Sequence, residues 1–137
     1  MPRFHQIVAN NLKKLKYVKD FTDKVKIVKV EKGVAQFELR LEKEHCDLHG
    51  AMHTGTAFIL IDLYTFATAT TLYDESTSFT SLNIEARFLA PAMLGNEILI
   101  NSRAADPSGK TAFAEMEFLD KATKQVLVQG SHTMFLF

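Results

Sequence analysis

Alternation of apolar and polar positions organises most of this chain. Ala35, Phe37, Leu39 and Leu41 alternate with Gln36, Glu38, Arg40 and Glu42, the period of a strand with one wet face. Lys24 to Val30 alternates less regularly, and its phase slip at Ile27-Val28 predicts a bulge. Lys32-Gly33 supplies a turn that joins the two runs as a hairpin. Further on, Leu82, Ile84, Ala86 and Phe88 alternate with Ser81, Asn83, Glu85 and Arg87. Pro91 and Gly95 mark a bend before a strand over Glu97–Ala104, and Asp106-Pro107-Ser108-Gly109 is a turn with its residue types in preferred places. Ala112, Ala114, Met116 and Phe118 line the next strand, and Val126 to Phe135 the last.

Two segments depart from this period. Phe4, Ile7, Val8, Leu12 and Leu15 form one helical stripe, which predicts an N-terminal helix docked on its own domain. Residues 53–72 are apolar nearly all round and exceed a typical strand in length. No Gly or Pro interrupts them after Gly55, and Thr54 is placed to cap their start. The expectation is a long helix surrounded by protein. A membrane span is disfavoured by a central Asp62, which costs about 2.5–3.5 kcal/mol on insertion scales, and by the many threonines. Antiparallel strands and one fully apolar helix pack when the sheet curls round the helix, an α+β architecture. No linker or repeat divides the sequence, so residues 1–137 are expected to form a single domain.

Composition narrows the function classes. Sixteen basic residues balance sixteen acidic ones, so no net field attracts nucleic acid or an anionic membrane. A single cysteine, Cys46, allows no internal disulfide and fits a reducing compartment such as the cytoplasm. Residues 1–19 lack any acidic side chain and carry Arg3, Lys13, Lys14, Lys16 and Lys19, a bias shared with mitochondrial addresses, which nevertheless favour Arg and Ser.

Most candidate chemistry is weak. His45, His49 and His53 recur at every fourth residue beside Cys46 and Asp47, a metal-ligand spacing only if one helix carries them. Gly50 interrupts that run, so no metal site is expected. Cys46 next to His45 lacks the geometry of a nucleophile with a partnered base. Gly109-Lys110-Thr111 is similar to the end of a phosphate-binding loop, but Ala104 stands where that pattern needs glycine and a strand follows where it needs a helix.

Asp62 is the strongest signal. An aspartate in an apolar helix is paired or used, and its helical neighbours Phe58, Ile59, Thr65 and Phe66 offer no cation. It is either a carboxylate bonded to Thr65 or a backbone amide, or one kept semi-buried to activate a water. The same stretch provides a helix N-terminus at His53-Thr54-Gly55, whose free amides can hold a developing negative charge. Base and electrophile together suit hydrolysis of an acyl group. Within one helix, however, Thr54 and Asp62 are about 12 Å apart at a rise of about 1.5 Å per residue, too far to act on one atom. Two antiparallel copies across a two-fold axis bring them together.

The stretch "DLHGAMHTGTAFILID" resembles the signature of small hotdog-fold acyl-CoA thioesterases of the acyl-coenzyme A thioesterase 13 and PaaI-like type, Asn-x-x-Gly-x-x-His-Gly-Gly-x-x-x-x-x-x-Asp. The likeness extends through "FLAPAMLG" and the terminal "LVQGSHTMFLF". It implies a hotdog fold, an antiparallel sheet wrapped around a central helix. It implies Asp62 as general base, Ser81 holding the water, and Asp47 and the Thr54 amide polarising the thioester carbonyl from the neighbouring subunit. It also implies coenzyme A contacts around Asn83, Phe88–Met93 and Ser108–Thr111, so that His53, Gly55, Asn83, Phe88, Pro91 and Lys110 become candidate substrate-binding residues. No cofactor is implied, and the assembly is expected to be a homodimer or a homotetramer built as a dimer of dimers.

Two positions depart from that signature: Thr54 replaces a glycine and adds bulk where the thioester approaches, and Asp47 replaces an asparagine. A negative charge at position 47 opposes a developing oxyanion unless Asp47 is protonated, and an apolar environment would raise its pKa. Ser81 falls off the apolar face by alternation. The expected function is acyl-CoA hydrolysis; a non-catalytic acyl-CoA-binding relative and a scaffolding dimer remain as alternatives.

Overall fold

The computed structural model describes residues 2–13 and 19–137. Helix α1 (Pro2–Lys13) and a single helical turn α2 (Lys19–Thr22) precede the hairpin β1 (Lys26–Glu31) and β2 (Val34–Arg40). Helix α3 (Thr54–Ala69) runs on through a 3-10 turn (Thr70–Leu72), and β3 (Phe79–Phe88), β4 (Glu97–Ala105), β5 (Thr111–Asp120) and β6 (Val126–Leu136) follow. The strands make one antiparallel sheet in the order β1-β2-β4-β5-β6-β3. The α3 connection therefore carries the chain from β2 to the far edge, and among the described residues β3 is paired on one side only.

Alternation explains which face meets the helix. Ala35, Phe37 and Leu39 of β2 and Ala112, Ala114, Met116 and Phe118 of β5 are buried, as alternation predicts, and so are Ile98 and Ile100 of β4. Each fully buried Leu, Ile or Phe contributes about 1.5–3 kcal/mol. The Phe37 and Tyr64 rings meet edge to face at 4.6 Å, and α3 packs on β3, β4, β5 and β6. By length and composition Thr54–Leu72 could cross a bilayer, but here it is the core helix, with residues such as Leu60, Ile61, Tyr64 and Ala67 covered by protein.

Threonines are tolerated in this buried helix because their hydroxyls find main-chain acceptors. Thr68 Oγ1 donates to the Tyr64 carbonyl at 2.7 Å, Thr65 to that of Ile61, and Thr56 to that of His45 at 3.1 Å. Such back-bonding satisfies a polar group that would otherwise be costly to bury. Gly130 of β6 lets α3 approach the sheet: a Cβ there would lie 2.6 Å from Ile61 Cδ1.

Helix α1 lies on α3 and β1, with Val8 fully buried and Phe4 and Leu12 packed against the core. Leu15, with Lys14 and Lys16, lies outside the described residues. The expected bulge in β1 is present: the register slips between Ile27 and Lys29, leaving Val28 exposed. A second bulge, in β3 between Ser81 and Asn83, was not expected from alternation.

Candidate active site

The start of α3 is held by His53 rather than by Thr54. His53 is the N-cap, extended at φ −64° and ψ 137°, and its Nδ1 accepts from the Gly55 amide at 2.9 Å. Gly55 leaves room for this imidazole, since a Cβ would sit 3.0 Å from Nδ1. The cap occupies the Gly55 amide, and Thr54, the first residue of the helix, is exposed at its positive end. The expectation that Thr54 caps the helix is corrected: a histidine nitrogen does what a threonine hydroxyl usually does.

The preceding loop is built on Asp47. Its Oδ1 accepts from the His49 amide at 2.8 Å and the Ala51 amide at 3.1 Å, while its own amide donates to the Ala51 carbonyl. Gly50 completes the turn at φ 78°, a conformation that disfavours other residues. These amides hold the Asp47 carboxyl below its usual range. The condition under which Asp47 would be protonated is not met in this chain: the side chain is exposed and ionised.

Asp62 lies midway along α3 with its side chain half exposed (49%). Its carboxylate makes no hydrogen bond to Thr65 or to a backbone amide among the described residues. Instead Oδ1 is 4.0 Å from Nε2 of His132, which is buried on β6. His132 is clasped on both sides: Nδ1 lies 2.7 Å from Thr65 Oγ1, and Nε2 2.7 Å from Ser81 Oγ. Burial lowers the His132 pKa, with the Asp62 charge opposing that shift, so the ring is neutral near pH 7.

Ser81 reaches this centre because of the β3 bulge. Ser81 pairs with buried Met134 and Ile84 pairs with buried His132, so both point to the helix face although three residues apart. Leu82, the extra residue, is pushed out and is 60% exposed. The alternation that set Ser81 on the outer face and Leu82 on the inner one is thus reversed at this point. His132 itself escaped the sequence reading. Its signal was a polar residue in phase with Val128 and Met134 on an inward-facing strand face.

A separate apolar cleft of about 320 Å³ opens beside the helix start. Ala51, Met52, Thr54, Phe88 and Pro91 line it, and Phe88 also faces Phe58 with ring centres 6.2 Å apart. Of the expected binding residues, Phe88 and Pro91 thus meet Thr54. His53 and Gly55 form the cap, and Asn83 is exposed on β3 opposite Thr133. Lys110 lies in the β4–β5 turn, its carbonyl accepting from Leu136, near the Phe79 end of β3. The cleft is at the Phe88 end, about 30 Å away for ten residues at about 3.3 Å each. One chain does not bring Lys110 to the cleft. A larger concavity, about 1120 Å³, lies on the outer sheet face around Gln36, Asn101, Arg103 and Glu117 and contains none of the Asp62 centre.

No group of three His, Cys, Asp or Glu among the described residues is arranged to hold a metal. His45 is buried, its Nδ1 accepting from the Glu42 amide, whereas His49 and His53 are exposed. Burial pushes the Cys46 thiol up, away from the thiolate a nucleophile needs. Gly109 at φ 75° closes a turn in which Asp106 Oδ1 accepts its amide.

A six-stranded antiparallel sheet packed on one long central helix, with a further helix at the N-terminus, is the hotdog fold. Residues 49–127 match the family model described as Thioesterase superfamily, and the chain belongs to that superfamily. It is 28% identical over 114 residues to human acyl-coenzyme A thioesterase 13, covering 82% of this chain and 80% of the human protein. The fold superposes on zebrafish thioesterase superfamily member 2 with a TM-score of 0.80 at 24% identity, covering 93% and 97% of the two chains. It also superposes on a Streptococcus mutans protein bound to acetyl CoA, with a TM-score of 0.75 at 20% identity and coverage of 82% and 88%.

Proposed function

We propose that this protein hydrolyses acyl-CoA thioesters, with Asp62 as general base. The observation that carries the reading is the half-exposed Asp62 carboxylate, 4.0 Å from the same buried His132 Nε2 that Ser81 Oγ bonds at 2.7 Å. The acyl-CoA substrate class is supported by the curated relatives, named acyl-coenzyme A thioesterases, and by acetyl CoA in a structural neighbour.

The chemistry follows from donor and acceptor roles. With His132 neutral and its proton on Nδ1, Nε2 accepts the Ser81 hydroxyl hydrogen and leaves the serine oxygen lone pairs free. A water that donates one hydrogen to Asp62 and the other to Ser81 Oγ has its lone pair turned outward. Asp62 takes the water proton as the oxygen attacks the thioester carbon. The resulting oxyanion is held by the Thr54 amide, and on collapse the C–S bond breaks. The proton on Asp62 passes to the departing sulfur, giving free acid and coenzyme A.

Both groups cannot come from one chain, so the working unit is a two-fold dimer with Asp62 of one subunit facing the Thr54 amide of the other. The free edge of β3 supports this, as do half-exposed Asp62 and the 39% exposed Phe58 one turn before it on α3. Antiparallel pairing of β3 with its copy would set the Phe79 end of one strand beside the Phe88 end of the other. That would bring Lys110 of one subunit toward the cleft of the second, where a cation suits a coenzyme A phosphate.

The ionised Asp47 favours one rival, a protein that binds acyl-CoA without cleaving it, because its charge opposes the oxyanion. Turnover of a panel of acyl-CoAs, followed as thiol release, separates the two. Wild type is expected to turn over and Asp62→Asn to lose about 10² to 10⁴-fold in kcat. Binding of acyl-CoA without thiol release by wild type would establish the rival.

A further inference from the structure

Thr65 makes the water-holding geometry possible, although its hydroxyl is fully buried and cannot reach substrate. Its Oγ1 has one hydrogen and three polar neighbours: the Ile61 carbonyl, His132 Nδ1 at 2.7 Å and, farther off, the Asp62 carbonyl at 3.3 Å. A carbonyl oxygen can only accept, so the close Thr65–Ile61 contact requires the Thr65 hydrogen to lie between them. Oγ1 then has lone pairs alone to offer His132, and Nδ1 must be the nitrogen that carries the proton. This leaves Nε2 as an acceptor, which obliges Ser81 to donate to it. The direction of every hydrogen bond in the chain is fixed by one main-chain carbonyl of α3.

We infer that Thr65 is a positioning residue: through the Ile61 carbonyl it locks His132 in its Nδ1–H tautomer, and so keeps Ser81 Oγ an acceptor toward the attacking water. This rests on Asp62 and Ser81 serving hydrolysis as proposed above. The opposite tautomer, which an unconstrained imidazole prefers, would reverse the chain. Nε2–H would donate to Ser81 Oγ, and the serine hydrogen would turn toward the water site, where it competes for the lone pair needed for attack. The tautomer of a functional histidine is set by the partner of its other nitrogen, and such supporting partners are typically worth about 10 to 100-fold in function at metal sites.

The test reads the ring directly. Protein labelled with ¹⁵N-histidine is examined by long-range ¹H–¹⁵N correlation at a pH where His132 is neutral, with its signals assigned by their loss in His132→Gln. Wild type should show Nδ1 protonated and Nε2 bare, and Thr65→Ser should match it. Thr65→Val, which keeps the shape and removes the hydroxyl, should shift His132 toward Nε2–H. Its kcat should fall about 10 to 100-fold with KM within about twofold, while Thr65→Ser retains activity. A bare Nδ1 in wild type overturns the inference, and this reading stands even if Thr65→Val does not fold. So does a folded Thr65→Val with unchanged tautomer, or one with a changed tautomer and wild-type kcat. Full activity of Asp62→Asn would remove Asp62 as the general base instead, and leaves the tautomer measurement to be judged by itself.

Discussion

Subunit mixing gives the sharpest test of a site shared across a two-fold axis. Thr54→Pro removes the proposed amide donor, and the structure accepts it: proline is favoured at the first helical position, and His53 already has the extended backbone that a residue before proline requires. Loss of one such donor costs about 10² to 10³ in kcat, and loss of the base in Asp62→Asn about 10² to 10⁴, so each variant alone should be nearly inactive. Unfolded together in equal amounts and refolded, random pairing makes about half the dimers mixed. One site of each mixed dimer joins an intact Asp62 to an intact Thr54 amide, and the other carries both lesions. About a quarter of all sites are then intact, so thiol release should recover to about a quarter of the wild-type rate. The separation of about 12 Å between the two groups along α3 is the reason to expect it. Sites built within one subunit would recover nothing, since every chain carries a lesion. With native mass spectrometry showing mixed dimers and circular dichroism showing folded variants, absent recovery would refute the shared site.

Three further perturbations follow from the geometry. Asp47→Asn keeps an oxygen to accept the His49 and Ala51 amides but replaces the charge with a donor, so kcat should rise, by no more than the about 10² to 10³ of one added donor; a fall at unchanged thermal stability would give Asp47 a role of its own. Because burial depresses the His132 pKa below its ordinary 6.5, the native state binds its proton less readily than the unfolded chain. The associated stability is complete above about pH 6.5 and is lost as pH falls through the folded value. Melting temperature and kcat should therefore both decline on that acid limb, and a melting curve of His132→Gln should show a weaker dependence there. Gly130→Ala places a methyl against Ile61 and should cost about 1–3 kcal/mol in chemical denaturation, with partial recovery in the double variant with Ile61→Val, which removes the Cδ1 that lies nearest.

How far the sequence discloses this site depends on which interactions are local. The α3 helix, its buried character and Asp62 are legible because apolar length and a lone carboxylate are properties of consecutive residues. The inward faces of β2 and β5 are equally legible, since period 2 holds without interruption along them. Ser81 is not. Its orientation is decided by the bulge that leaves Leu82 unpaired against β6, a cross-strand event with no signature within β3 itself. The cap illustrates the same limit on a shorter scale: Thr54 has the favoured residue type, but the imidazole of His53 reaches the Gly55 amide first because glycine leaves space for it. His132 is the extreme case. Nothing within four residues of Asp62 could supply its neighbour, and the residue that does lies 70 positions later, brought in by the β3–β6 pairing and by the close approach of α3 that Gly130 allows. The same close approach joins Thr65 to His132. A hydroxyl that reads in sequence as an ordinary helix threonine thereby acquires a tertiary partner that sets the direction of protons at the site.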